Sequence, residues 1–320
     1  MTVPVVHDLA VQYPDLDITM LSREMARPLF ERLPGNVRFV AADLEGRHSG
    51  LFGLNRLLKE LPLKDYDAVA DLHDVLRSQW LRFVARCRGK KVAIIDKGRR
   101  GKRALTRCRN KVLAPQATSF ERYAQVLAAL GFPVTPQFSA LDYAAFAEQI
   151  KPAGATWVGI APFAKHPAKV YPREKMEEVI RVLSQQADTT VLLFGGGEEE
   201  KRQMAAWCAN NPHVQAVQSR HGLAGELALM GQLDVLLSMD SANMHLASLV
   251  GTKVVSVWGG THPYAGFLGW GQRLEDSIQL DLPCRPCSVY GNKPCHRGDY
   301  ACLNGIASGQ ILEKLRPYLP

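Results

Sequence analysis

The stretch LLSMDSANMHLASLVGTKVVSVWGGTHP (Leu236–Pro263) decides the fold. Its two aliphatic and β-branched runs, VLLSMD (Val235–Asp240) and KVVSVWGG (Lys253–Gly260), lack polar alternation, as strands of a parallel sheet buried on both faces do. The residues between them have the length of one helix. Asp240 therefore closes a buried strand, Ser241 stands where a helix cap belongs, and His245 lies one turn in, on or near the face that begins at Ser241. Such a junction offers free backbone N–H groups and a positive dipole end to a phosphate, while Asp240 can accept from ligand hydroxyls. The plain alternative is a capped helix with His245 as a satisfied core histidine.

Working outward, the second half has two more strand patterns, TWVGIAPF (Thr156–Phe163) and TTVLLFGG (Thr189–Gly196), with helices filling the gaps. The first half alternates less cleanly. NVRFVAAD (Asn36–Asp43), YDAVADLH (Tyr66–His73) and KKVAIID (Lys90–Asp96) read as strands, and GLFGLNRLLKEL (Gly50–Leu61) as an amphipathic stretch. The chain opens on a helix, Thr2–Tyr13, whose Val3, Val6, Leu9, Ala10 and Tyr13 share one face, followed by a short strand, Asp17–Ser22. Phe132–Gly154, with Pro133, Pro136 and Pro152, reads as a link. The expectation is an α/β chain of two domains, residues 1–150 and 151–320, with ligand in a cleft between them at the carboxyl ends of the strands.

Of the 320 residues 47% are hydrophobic and 22% charged, an ordinary globular composition. No apolar run approaches the roughly 20 residues that span a bilayer, and the start lacks a secretory pattern, which together predict a cytoplasmic protein. The formal charge of +8 is matched by one segment, Lys97–Lys111, with Lys97, Arg99, Arg100, Lys102, Arg103, Arg107, Arg109 and Lys111. It has no aromatic residue for stacking bases and no recognised binding motif, which ranks nucleic acid last, behind a solvated loop. Cys284, Cys287, Cys295 and Cys302 cluster with spacings C-x2-C-x7-C-x6-C. They are candidate ligands of a structural zinc, against reduced thiols or an opportunistic disulfide.

DSANMHLASLVGTKVVSVWGGTHP (Asp240–Pro263) resembles the signature of the family-nine glycosyltransferases, the ADP-heptose:lipopolysaccharide heptosyltransferases, in which Asp-Ser-Gly-x-Met-His precedes a helix and a strand ending in Gly-Pro-Thr. The resemblance runs over nearly the whole chain. It implies two Rossmann-like domains of GT-B type and an inverting transfer of heptose, or a related sugar, from an ADP-sugar to an anionic lipopolysaccharide-type acceptor, with no metal needed. Asp240, Ser241, Ala242 and His245 would face the donor, and Thr261 would lie near its phosphates or sugar. Two residues depart from the signature: Ala242 stands for a glycine and Gly260 for a proline. In APFAKHPAKVYP (Ala161–Pro172), Lys169 matches a family lysine and would pair with the donor diphosphate. In GGGEEE (Gly195–Glu200), Glu198 would reach the ribose unless the glutamates only favour the helix dipole.

The resemblance further places Arg99, Arg100, Lys102 and Arg103 in the acceptor-binding domain, near an anionic acceptor or the inner face of the cytoplasmic membrane. Family chains begin with a strand and a Gly-Asp turn whose aspartate is the base, before a helix that Met1–Leu9 matches. That base would lie upstream of Met1, and Asp8, in mid-helix, is a poor substitute. The alternative to an active transferase is a truncated, non-catalytic remnant that binds nucleotide or acidic glycan.

Overall fold

The computed structural model describes residues 1–209 and 211–319. In chain order the elements are α1 (Val3–Gln12), β1 (Ile18–Ser22), α2 (Arg27–Phe30), β2 (Val37–Ala41), α3 (Gly50–Glu60), β3 (Ala68–Asp71), α4 (Leu76–Cys87), β4 (Lys91–Ile94), α5 (Arg99–Leu105) and α6 (Ser119–Ala129). They continue with β5 (Thr156–Ala161), α7 (Arg173–Ser184), β6 (Thr189–Leu193), α8 (Glu198–Cys208), β7 (Val214–Ala216), α9 (Leu223–Met230), β8 (Val235–Met239), α10 (Ala242–Leu249), β9 (Val254–Val257), β10 (Ser277–Ile278), α11 (Ala301–Asn304) and α12 (Ser308–Leu315). Strands alternate with helices, and every strand pairing is parallel, so the chain is α/β as its sequence predicts.

Two compact units form: Met1–Lys97 with Thr118–Ser139, and Gly98–Ala117 with Ala140–Pro320. The third crossing, at Ser139, falls inside the proline-bearing link. The basic segment, expected within residues 1–150, groups with the second unit from Gly98 onward.

In the first unit β1 pairs with β2 from Ile18↔Val37 to Ser22↔Ala41, and β3 with β4 from Ala68↔Lys91 to Asp71↔Ile94. The apolar face read in α1 is buried, with Val5 and Leu9 packing on Leu127 of α6. The amide of Asn36 donates to the carbonyls of Ala10, Tyr13 and Leu16 and so holds the end of α1 against the start of β2. Helix α6 starts with a reciprocal cap between Thr118 and Glu121, which satisfies two end N–H groups.

The second unit carries a six-stranded sheet in the order β10-β9-β8-β5-β6-β7. β8 is buried at every residue, as the unbroken apolar run predicts. From β5 the chain winds outward to β6 and β7, then returns to the other side of β5 as β8. The junction of β5 and β8 is therefore the switch point, the place in an open parallel sheet where a crevice forms beyond the strand ends. The edge strands β7 and β10, of 3 and 2 residues, escape sequence reading because they are too short to show a period.

Candidate functional site

The residues that follow β5 and β8 meet across the switch point. Lys169 ends a 3-10 turn, Pro167–Lys169, and its Nζ lies 2.8 Å from Oδ2 of Asp240. Thr261, beyond the end of β9, donates its hydroxyl to the same oxygen at 2.8 Å. Both Asp240 and Thr261 are buried. One carboxylate oxygen thus carries an ammonium and a hydroxyl, while Oδ1 takes no hydrogen bond among the described residues and remains an acceptor for a ligand. Three strand ends converge on one buried ion pair, and the sequence had named all three residues.

Helix α10 starts here. Ser241 has the extended backbone of a cap residue, but its hydroxyl makes no cap bond and lies 3.3 Å from the hydroxyl of Ser238. The first-turn N–H groups are therefore not taken by their own cap. Ala242 is the first helical residue and is exposed; helical backbone there does not require the family's glycine. His245 is half-buried, and its Nδ1 is sealed from solvent without a hydrogen-bond partner among the described residues. Burial, helped by the Lys169 cation, pushes its pKa down to about 3, so the ring is neutral. A neutral imidazole whose Nδ1 is left without a partner is not the satisfied core histidine of the plain alternative.

A second layer holds this cluster, and sequence reading missed it. Gly260 donates its N–H to the carbonyl of Ala168 at 2.8 Å, which ties the end of β9 to the residue before Lys169. The proline of the family signature has no N–H and could not make this bond. The carbonyl of Gly260 accepts from the N–H groups of Cys287 and Ser288. Arg285 is buried, and its guanidinium donates to the carbonyls of Gly259, Thr261 and Leu280 and to Gln279. Lys111 in turn grips the carbonyls of Pro283, Arg285 and Pro286 at 3.1, 2.7 and 3.1 Å. Gly291, at φ +76°, lies on the Lys169 stem: a Cβ there would come within 2.7 Å of its Cγ. A basic residue flanked by Cys-x2-Cys was the only signal in the sequence, and it pointed to the thiols instead.

Those thiols do not form a metal centre. Among the described residues no group of three or more His, Cys, Asp or Glu side chains could hold a metal ion, so the expected zinc is corrected. The loop is organised by Arg285 and Lys111 acting on carbonyls, which leaves the sulfurs as free thiols. Burial pushes the Cys302 thiol up to about 11 and raises Cys287 too, keeping both protonated at neutral pH.

The remaining candidates scatter. Glu198 opens α8 and is largely exposed, pairing with Lys201 at 3.0 Å. The glycines before it offer no open cradle, because the N–H groups of Gly196 and Gly197 donate to Glu200. Arg99, Arg100, Lys102 and Arg103 lie on α5 in the second unit. Lys102 is buried, with Nζ 4.2 Å from the centre of the Phe267 ring, whereas the three arginines are exposed. Asp8 is buried in the first unit and accepts the Gln137 N–H at 3.0 Å, a structural engagement.

The profile of glycosyltransferase family 9 (heptosyltransferase) matches residues 54–296. The chain belongs to this family. Its fold is that of solved members at 18% identity: the family 9 glycosyl transferase of Veillonella parvula DSM 2008, with a TM-score of 0.74 over 99% of this chain and 92% of that one, and the E. coli heptosyltransferase WaaC with ADP, with 0.67 over 99% and 95%. Lipopolysaccharide heptosyltransferase 1 of Pseudomonas aeruginosa is 29% identical over 247 residues, which are 72% of this chain and 64% of that protein. The match thus spans just under two thirds of that relative's length. Among the described residues no helix is long and apolar enough to cross a membrane.

Proposed function

We propose that this family 9 chain is an inverting glycosyltransferase that moves heptose, or a related sugar, from an ADP-sugar to an anionic lipopolysaccharide-type acceptor at the cytoplasmic side of the membrane. The observation that carries the reading is the Lys169–Asp240–Thr261 cluster at the switch point, beside the uncapped start of α10. In such a transfer an acceptor hydroxyl attacks the anomeric carbon as its proton passes to a general base, the bond from that carbon to the diphosphate breaks, and negative charge grows on the departing ADP. Lys169 and the first N–H groups of α10 are fixed donors for that charge. Asp240 orients Lys169 through Oδ2 and offers Oδ1 to a donor hydroxyl. His245, neutral and one turn into α10, borders the same ligand. Arg99, Arg100 and Arg103 are assigned to the anionic acceptor. The WaaC structure was solved with ADP, which supports the choice of nucleotide.

The test has two readouts. Calorimetry should show ADP binding to the full chain and weaker binding to Lys169→Met, and mass spectrometry should show sugar transfer from ADP-heptose to a lipopolysaccharide-core acceptor. ADP binding without transfer would favour a non-catalytic binder, and loss of neither binding nor transfer in Lys169→Met would refute the site.

A further inference from the structure

The first unit carries an apolar groove that the proposed chemistry does not use. Helices α3 and α4 pack together, yet their starting turns leave large apolar side chains in solvent: Phe52 is 92% exposed and Leu76 83%. Leu51 and Phe83 are also exposed, and Phe83 stacks on Trp80 with ring centres 5.7 Å apart. Between them runs a groove of about 490 Å³, lined by Leu51, Leu54, Leu76, Trp80 and Phe83 with Arg77 at its edge. Phe52, Leu76 and Phe83 are among the few large apolar side chains the fold leaves in water, and they gather on one helix pair. A patch of this kind marks a docking face.

Charge selects the occupant. Arg56 and Lys59 extend from Phe52 along α3 at helical spacing, and Arg77 and Arg86 lie on α4; all four are exposed and make no ion pair among the described residues. The acidic neighbours are already engaged: Glu60 by Arg47 and His48, and Asp71 and Asp74 by Arg82. An apolar strip edged by unpaired cations complements an acyl layer beneath anionic headgroups. Two copies of the chain joined by this face through a two-fold axis would bring the same four cations toward their own equivalents. We infer that the groove between α3 and α4 seats the first unit on an anionic lipid bilayer, with Phe52, Leu76 and Phe83 entering the acyl boundary and the four cations meeting the headgroups.

Flotation with vesicles of phosphatidylcholine, with and without phosphatidylglycerol, tests this without donor or acceptor and so independently of the transferase reading. The chain should float with the anionic vesicles. A Phe52→Ser/Leu76→Ser/Phe83→Ser variant should lose at least about tenfold in partitioning, as should Arg56→Glu/Arg77→Glu. Arg181→Glu/Lys253→Glu, exposed cations of the second unit, should float like the parent, and the circular-dichroism melting curve of the serine variant should match the parent's, which reports on its fold. Equal flotation of the serine variant and the parent overturns the inference. So does failure of the parent to float, and so does a serine variant that changes only the oligomeric state.

Discussion

Removing the Lys169 ammonium should unsettle the second unit as well as the ligand site. Asp240 is 5% exposed in its side chain and Lys169 16%, so the pair is nearly dry. Taking one partner from a buried pair costs about 3–5 kcal/mol, because the surviving charge has lost its counterion. In Lys169→Met the survivor is a carboxylate with only the Thr261 hydroxyl against Oδ2. The residual exposure of Lys169 puts the loss at the lower end, about 3 kcal/mol. For a unit of roughly 200 residues that is a fall in Tm of about 6–12 °C. Asp240→Asn strands the lysine instead, which can turn toward water, so about 1–2 kcal/mol should go. The double variant should then be more stable than the sum of the two losses by about 1.5 kcal/mol or more. Urea titrations of the four proteins give this cycle, and calorimetry with ADP on the same samples gives the binding counterpart, where Lys169→Met should weaken affinity by about 1.5–3 kcal/mol. Strict additivity in the urea cycle would mean that the 2.8 Å contact is not an energetic coupling, and the argument for a preorganised Lys169 would fail with it.

Other residues give sharper local tests. Burial, and then the Arg285 cation, hold His262 at about 4, well below its unfolded value near 6.5; the stability this neutral ring contributes is present above pH 6.5 and lost as pH falls toward 4. Unfolding free energy should therefore drop by about 2 kcal/mol between pH 7 and 5 from this group, and His262→Asn should flatten that part of the profile. Gly291→Ala should lose about 2 kcal/mol and also weaken ADP binding, since its Cβ meets the Lys169 stem; Gly298→Ala, at φ +79° with open space around it, should lose stability alone. Lys111→Met frees three carbonyls and should cost about 2 kcal/mol, with faster maleimide labelling of Cys284 and Cys287 as the local sign.

The parallel α/β class was legible because β5, β6, β8 and β9 are buried on both faces and so read as unbroken apolar runs. Asp240 and Lys169 were legible because each follows such a run, one directly and one after a proline-bounded loop. Their pairing was not, since 73 residues of chain separate two strands that lie side by side, and only the return of β8 beside β5 brings them together. Arg285 and Lys111 stayed hidden for a different reason: their partners are main-chain carbonyls, which leave no trace in side-chain pattern. The cysteines misled because spacing reports the interval along a loop, whereas a metal needs convergence in space. The thiol cluster and the gripping cations share one loop, and the louder residue type drew the reading.

The course of the chain has a consequence for recombination. Residues 98–117 belong with the second unit although the stretch after them returns to the first, so the polypeptide passes between units at Lys97, at Ala117 and at Ser139. A chimera of two relatives joined once near residue 140 would inherit Lys111 from one parent and the loop it grips from the other. That mismatch is benign where lysine is kept, because the grip is on carbonyl oxygens that every sequence presents. At Lys111, then, an exchange of halves meets main chain and not a matched side chain, and a parent lacking lysine at that position would lose the grip only in the crossed combination.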